Sequence, residues 1–250
     1  MQSLEGQRAL VTGGSRGLGL ALVEALVERK AFVTVLARDP GRLAEVQKRL
    51  KVSVVAGDTT DAALAARLLR DVRPTVLVLD AAASPGLGPI HEQTWEGFSR
   101  SWNTDVKGAF HWIQEAIRLP LPPGSRVLIG SSGAAVNGSP MSGGYAGAKR
   151  MMWMLAHYAN GVSEELGLGI KFQAIVPRQI IPQTDHGRAA AEAYAGRKGI
   201  TVEAFAKQFG KPLLPADVAA HIVSILTEPK YESGTAWGLK GDLGIHTLDT

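Results

Sequence analysis

The amino-acid sequence predicts an α/β protein, a doubly wound parallel sheet with helices on both faces. Three observations lead there. Short runs of Val, Ile and Leu alternate with longer helix-like segments along nearly the whole chain. The first strand runs directly into a glycine-rich turn and a helix. The 250 residues, 45% of them hydrophobic, suffice for one large core, and no repeat, long linker or low-complexity tract divides them. A single domain over residues 1–250 is expected.

The first strand is Arg8 to Thr12, the turn Gly13-Gly14-Ser15-Arg16-Gly17-Leu18-Gly19, and the helix Leu20 to Glu28. Such glycines let the backbone bend sharply and approach a pyrophosphate, and the helix N-terminus favours its negative charge. The expectation is a Rossmann-like dinucleotide site. The second strand, Phe32 to Ala37, is followed at once by Arg38. An acidic residue at that strand end would grip an adenosine ribose, whereas arginine suits a 2′-phosphate. Asp39 comes one position too late, and with Pro40 it starts a helix running to about Leu50.

Val52 to Ala56 is the third strand, with Asp58 and Thr59 after it, and Asp61 caps a helix from Ala62 to Asp71. Pro74 to Leu79 is the fourth strand, ending in Asp80-Ala81-Ala82. Thr94 caps a single long helix to about Leu119 that contains Asp105. Arg126 to Ile129 is the fifth strand and delivers Ser132 to a cleft; the loop from Gly133 to Gly144 leads to the next helix. Lys171 to Val176 is the sixth strand, continuing into Pro177, Arg178 and Ile180. Helix-like patterns run from Asp185 to about Phe209. A helix from Ala216 to Thr227 and a last strand from Thr235 to Leu239 complete the order.

Chemistry concentrates in three residues. Tyr145 and Lys149 are four apart, so a helix sets them on one face. A tyrosine hydroxyl ordinarily keeps its proton to about pH 10. A neighbouring ammonium stabilises the phenolate, lowers that value and lets the pair exchange a proton with a carbonyl or alcohol near neutral pH. Ser132, thirteen residues before Tyr145, is placed to hold a substrate oxygen.

These residues and the Thr-Gly-x-x-x-Gly-x-Gly spacing beginning at Thr12 resemble the short-chain dehydrogenase/reductase family in its common single-domain form. The resemblance covers nearly the whole chain. It implies Tyr145 as catalytic acid/base, Lys149 as its partner and Ser132 as stabiliser of the substrate oxygen. It implies cofactor contacts from Gly13, Ser15, Arg16, Gly17, Leu18 and Gly19, from Arg38, Asp58 and Thr59, and from the backbone of Ala81 and Ala82. Tyr145, Lys149, Pro177 and Ile180 complete that set, and the resemblance implies a substrate lid at about residues 183–212. The basic pair Arg16 and Arg38 implies NADP(H) in preference to NAD(H).

The chain also departs from the family pattern. Leu79-Asp80-Ala81-Ala82 stands for Asn-Asn-Ala-Gly, and Asp105 for the asparagine that supports a water-linked proton path to the lysine. An ionised carboxylate only accepts hydrogen bonds, while an amide also donates. Three readings of Asp105 stand: it serves the relay as acceptor, it takes a proton itself, or the relay is impaired. A purely local structural role is the bland alternative. Asn103 points to nearly the opposite helix face. Arg178 replaces a glycine and stands open to an acidic substrate group or a cofactor phosphate. Pro182 takes a threonine position, with Thr184 two residues on.

The expected activity is an NADP(H)-dependent oxidoreductase interconverting a carbonyl and an alcohol. The rival is a cofactor-sensing or regulatory protein on the same fold with weak or no turnover. The net charge of +4 and pI of about 9.4 come from scattered charges, so no nucleic-acid partner is expected. No cysteine is present, which excludes disulfides and thiolate metal sites, and the six histidines form no spaced ligand motif. The start, Met1 to Glu5, has no leader pattern, and no apolar run approaches a membrane span of about 20 residues. The expectation is a cytoplasmic homo-oligomer, dimer or tetramer, without bound metal. By resemblance, Trp102, Trp112 and Trp153 are placed at a subunit interface.

Overall fold

The computed structural model describes residues 3–248; Met1 and Gln2 of the leader reading lie outside them. The strands are β1 (Arg8–Thr12), β2 (Phe32–Ala37), β3 (Ser53–Ala56), β4 (Val76–Leu79), β5 (Arg126–Gly130), β6 (Lys171–Pro177), β7 (Ala236–Lys240) and β8 (Gly244–Thr247). The helices are α1 (Gly17–Glu28), α2 (Pro40–Leu50), α3 (Ala62–Val72), α4 (Trp95–Ser101), α5 (Lys107–Arg118), α6 (Ala134–Asn137), α7 (Gly143–Glu165), α8 (Asp185–Lys198), α9 (Val202–Lys207) and α10 (Pro215–Thr227).

All eight strands form one sheet in the order β3-β2-β1-β4-β5-β6-β7-β8. Pairing is parallel throughout except for β7 with β8. Strands buried on both faces need unbroken apolar sequence, and Val76–Leu79 is buried at every position. One core layer joins the sheet to α1, α2 and α10 through Leu22, Leu26, Val46 and Ile222. The other joins it to α3, α5 and α7 through Leu68, Trp112, Met152 and Phe172.

The helix starts at Asp39, Asp61 and Thr94 form as expected, each side chain accepting from backbone N–H groups of its first turn. Four expectations need correction. The long helix after Thr94 is interrupted by a π-helical turn, Trp102–Val106, which holds Asp105. The strand at Ala236–Lys240 is not the last, because β8 folds back antiparallel with Ile245 opposite Leu239. The loop after Gly133 contains the short helix α6. Trp112 is wholly buried, with its Nε1 donating to the Thr59 carbonyl at 3.0 Å, so it belongs to the core and not to an interface. Among the described residues, no helix is long and apolar enough to cross a membrane.

Candidate active site

The strand order reverses between β1 and β4, the place where an open α/β sheet leaves a crevice at its carboxyl edge. Thr12 ties the two strand ends together. Its Oγ1 accepts from the N–H of Asp80 and Ala81, at 3.1 and 3.2 Å, and donates to the Val78 carbonyl. The chain then turns at Gly13 with φ +75°, and a Cβ there would stand 2.8 Å from Ala81 Cα. Gly19 is equally constrained: its Cβ would meet the Gly13 carbonyl oxygen at 2.5 Å and Asp80 Oδ2 at 3.1 Å. Behind this turn α1 starts without a side-chain cap from Arg16; the Gly19 N–H is met by the Asp80 carboxylate, and the N–H groups before it face the turn.

A cleft of ≈ 950 Å³ opens over this edge. Gly13, Ser15, Arg16, Gly17, Leu18, Ala81 and Ala82 line it, with Gly19 just behind. Arg38, Asp58 and Thr59 form its outer end, joined by Arg42, which was not anticipated. Asp39 caps α2 and pairs with Arg42 at 3.4 Å. Asp58 accepts from the Thr60 backbone N–H at 2.8 Å and the Thr60 hydroxyl at 2.9 Å; these bonds hold its carboxyl below the usual range. The Arg16 guanidinium is paired with Asp185 of α8 at 2.9 Å. Thr184 caps α8 and sets its methyl within 3.6 Å of a Cβ built on Gly17. The tight glycine turn, the helix start behind it and the arginines beyond β2 fit a dinucleotide.

At the other end of the cleft stand Ser132, Tyr145 and Lys149, with Pro177 and Ile180 on the facing wall. Lys149 is 4% exposed. Its Nζ donates to the Gly130 carbonyl at 3.2 Å and lies 5.6 Å from the centre of the Tyr145 ring. Asp105, one layer deeper and 1% exposed, sets Oδ2 3.2 Å from that Nζ as an ion pair, without a hydrogen bond in line. Its Oδ1 accepts from the Ala83 N–H at 2.8 Å. Two further contacts lock the helices. Ser131 Oγ donates to the Lys149 carbonyl at 2.8 Å, and Trp102 Nε1 donates to the Gly144 carbonyl at 3.0 Å. The π turn therefore carries both Trp102, which packs on the start of α7, and Asp105, which reaches the lysine.

Burial dominates the acid–base chemistry here. It pushes the Tyr145 phenol up from its ordinary value; Lys149 and the Ser132 hydroxyl pull the other way and do not outweigh it, and Asp105 and Asp80 push it further up. The lysine acts in the expected direction, but burial outweighs it and the phenol is not made more acidic overall. For Lys149 burial works against the charge, but the Asp105 carboxylate outweighs it and the ammonium is held above its usual range. Asp80 is raised to about 6, chiefly by burial, with Lys149 opposing.

Sequence reasoning missed His186 of α8. Its ring lies against Tyr145, centroids 4.7 Å apart, and burial with the nearby Lys149 ammonium lowers it to about 4, so it is neutral at neutral pH. No motif surrounds His186; only the docking of α8 brings it here. Tyr194 was also missed: its hydroxyl bonds Ser139 Oγ at 2.6 Å and its ring stacks on Phe205 at 5.7 Å.

Comparison with known proteins agrees with this geometry. A family model described as short chain dehydrogenase matches residues 7–195. Oxidoreductase asL5 of Sarocladium schorii is 29% identical over 235 residues, covering 90% of this chain and 91% of that protein. Carbonyl reductase (NADPH) 2 of Sus scrofa is 31% identical over 169 residues, 66% of this chain and 68% of that protein. A crystal structure of NAD+-bound xylitol dehydrogenase superimposes with a TM-score of 0.82 at 18% identity, covering 96% of this chain and 100% of that one; it shares the fold.

Proposed function

The chain belongs to the short chain dehydrogenase family, and on that premise we propose that it is an NADP(H)-dependent oxidoreductase interconverting a carbonyl and an alcohol, with Tyr145 as acid/base. One observation carries this reading: Ser132, Tyr145 and Lys149 share a cleft with a glycine turn built for a pyrophosphate. The chemistry supplied by the dinucleotide when bound is hydride transfer. In reduction the Ser132 and Tyr145 hydroxyls donate to the substrate oxygen, and Tyr145 passes its proton to the alkoxide. Lys149 stabilises the phenolate left behind, and its own charge is kept by Asp105. A phenol held protonated favours reduction at neutral pH, so oxidation should climb with pH while reduction stays level.

The preference for NADP(H) is supported by Arg38 and Arg42 at the adenosine end and by Asp39 being spent on capping α2. The relatives divide on this point: the porcine enzyme is named for NADPH, the xylitol dehydrogenase is bound to NAD+. A homo-oligomer is supported by apolar side chains left exposed on α5 and α7, Phe110, Tyr158 and Val162. Size-exclusion chromatography with light scattering checks it.

A second reading, a cofactor sensor with weak or no turnover, is favoured by the Asp105–Lys149 ion pair, which ties up the lysine directly. NADPH and NADH consumption over a panel of ketones and aldehydes decides between them. Turnover that Tyr145→Phe lowers by at least about 100-fold, with NADPH binding retained, supports the enzyme. A Tyr145→Phe variant with full activity overturns the role of the phenol, and tight NADPH binding without turnover on any carbonyl supports the sensor.

A further inference from the structure

Most cations lining the cleft are already engaged. Arg16 is paired with Asp185, Arg42 with Asp39 and Lys149 with Asp105. Lys198 donates to Gln208 and lies over the Phe205 ring. Among the described residues, Arg38 and Arg178 line the cleft without a carboxylate within 4.0 Å. They sit at opposite ends. Arg38 follows β2, at the adenosine end. Arg178 follows β6, against the turn that carries Ser132: the Gly133 N–H donates to the Pro177 carbonyl at 2.7 Å, and a Cβ on Gly133 would stand 3.1 Å from Arg178 Cα.

The Nε of Arg178 is buried and has no hydrogen-bond partner. An unsatisfied guanidinium N–H away from water is costly, so its persistence calls for an acceptor brought from outside. Carboxylates and phosphates both suit that fork, because two parallel N–H···O bonds form at once. The pyrophosphate end of the cleft lies elsewhere, where Thr184 faces Gly17. Beyond Arg178 the lid supplies apolar surface, with the rings of Tyr194, Phe205 and Phe209 packed on one another.

We propose that Arg178 receives a carboxylate carried by the substrate close to its reacting carbonyl, so that the substrate class is an oxo acid with an apolar body, or the matching hydroxy acid. This rests on the carbonyl/alcohol reading above. The test pairs 2-, 3- and 4-oxo acids bearing an alkyl or aryl tail with their methyl esters, each with NADPH and the unmodified protein. At one spacing the acid should exceed its ester by about 10- to 100-fold in kcat/KM, the worth of one charge-assisted pair. Arg178→Gln should bring that ratio to about 1, mainly through KM, and Arg178→Lys should keep part of it.

Isothermal titration of the same pairs onto NADPH-saturated protein reads the preference without turnover. Failure of the carbonyl/alcohol reading (binding but no reaction) is thereby separated from failure of this one. Acids and esters that react and bind alike at every spacing overturn the assignment in the unmodified protein, whether or not the variants fold. So does an Arg178→Gln variant that keeps the acid preference and instead raises the KM for NADPH, which would give Arg178 to a cofactor phosphate.

Discussion

The two ends of the cleft handle charge in opposite ways. Over the glycine turn and the outer end beyond β2, Arg16, Arg38 and Arg42 stand in water, and the Arg16–Asp185 pair keeps about half of each side chain exposed, 49% and 54%. At the reactive end the Lys149–Asp105 pair is 5% and 0% exposed. An exposed pair is worth at most about 1 kcal/mol and weakens with salt. Removing one partner of a buried pair strands the other charge and costs about 3–5 kcal/mol. A basic side chain and an aspartate thus make an adjustable contact at one end and a fixed element of structure at the other.

The sharpest way to break this contrast is to cut each pair once. Lys149→Met should abolish turnover and lower unfolding stability by about 3–5 kcal/mol, whereas Asp185→Ala should change it by less than about 1 kcal/mol. Urea denaturation of both variants reads the difference, and equal losses would show that burial does not separate the pairs.

Next in size is Asp80. Its folded value of about 6 lies above the ordinary 3.8, so the folded protein binds this proton more tightly than the unfolded chain. The stability it contributes is present below about pH 4 and is lost as pH climbs through about 6. Asp80→Asn should therefore stabilise the protein at pH 8, by at most roughly 3 kcal/mol, and do little at pH 4. Melting temperatures across that range check the sign; a gain confined to acid pH would reverse it.

Asp105→Asn tests the same floor through chemistry. The Asp105 charge helps hold the Tyr145 phenol up. Its removal should move the rising limb of alcohol oxidation to lower pH. An unmoved limb would mean that Asp105 does not act on the phenol.

The smallest effects belong to the exposed end. Arg38→Ala should raise the KM for NADPH about tenfold and leave NADH nearly unchanged, as expected for one screened phosphate contact. Arg16→Ala should do less, because Asp185 already occupies that guanidinium; Asp185→Asn, by freeing it, should tighten NADPH binding. Equal effects of Arg38→Ala on both cofactors would remove the phosphate from that end.

Much of the molecule was legible because its causes are local. The caps at Asp39, Asp61 and Thr94 need only a short polar side chain at the right offset. The glycine turn carries its own conformation. The π turn at Trp102–Val106 was not legible, since one extra residue per turn leaves no periodic mark; it is held by bonds to Gly144 and Ala83, distant in sequence. Strand β8 is four residues long and gains its order from pairing with β7. Trp112 read as an interface residue because an aromatic on an amphipathic helix looks alike from either side, and only the Thr59 carbonyl beneath it decides.

By itself the sequence determined the succession of β1 to β7 and the main helices between them, the glycine turn at the carboxyl edge, and which side chains are chemically able to move a proton. Tertiary structure alone decided the state of those side chains. It set Lys149 on a buried carboxylate, laid His186 against Tyr145, engaged Arg16 with α8 and left the Arg178 Nε without a partner. The reason is physical: conformational preference acts over a few residues, whereas desolvation and Coulomb energy depend on what the folded chain brings within a few ångströms.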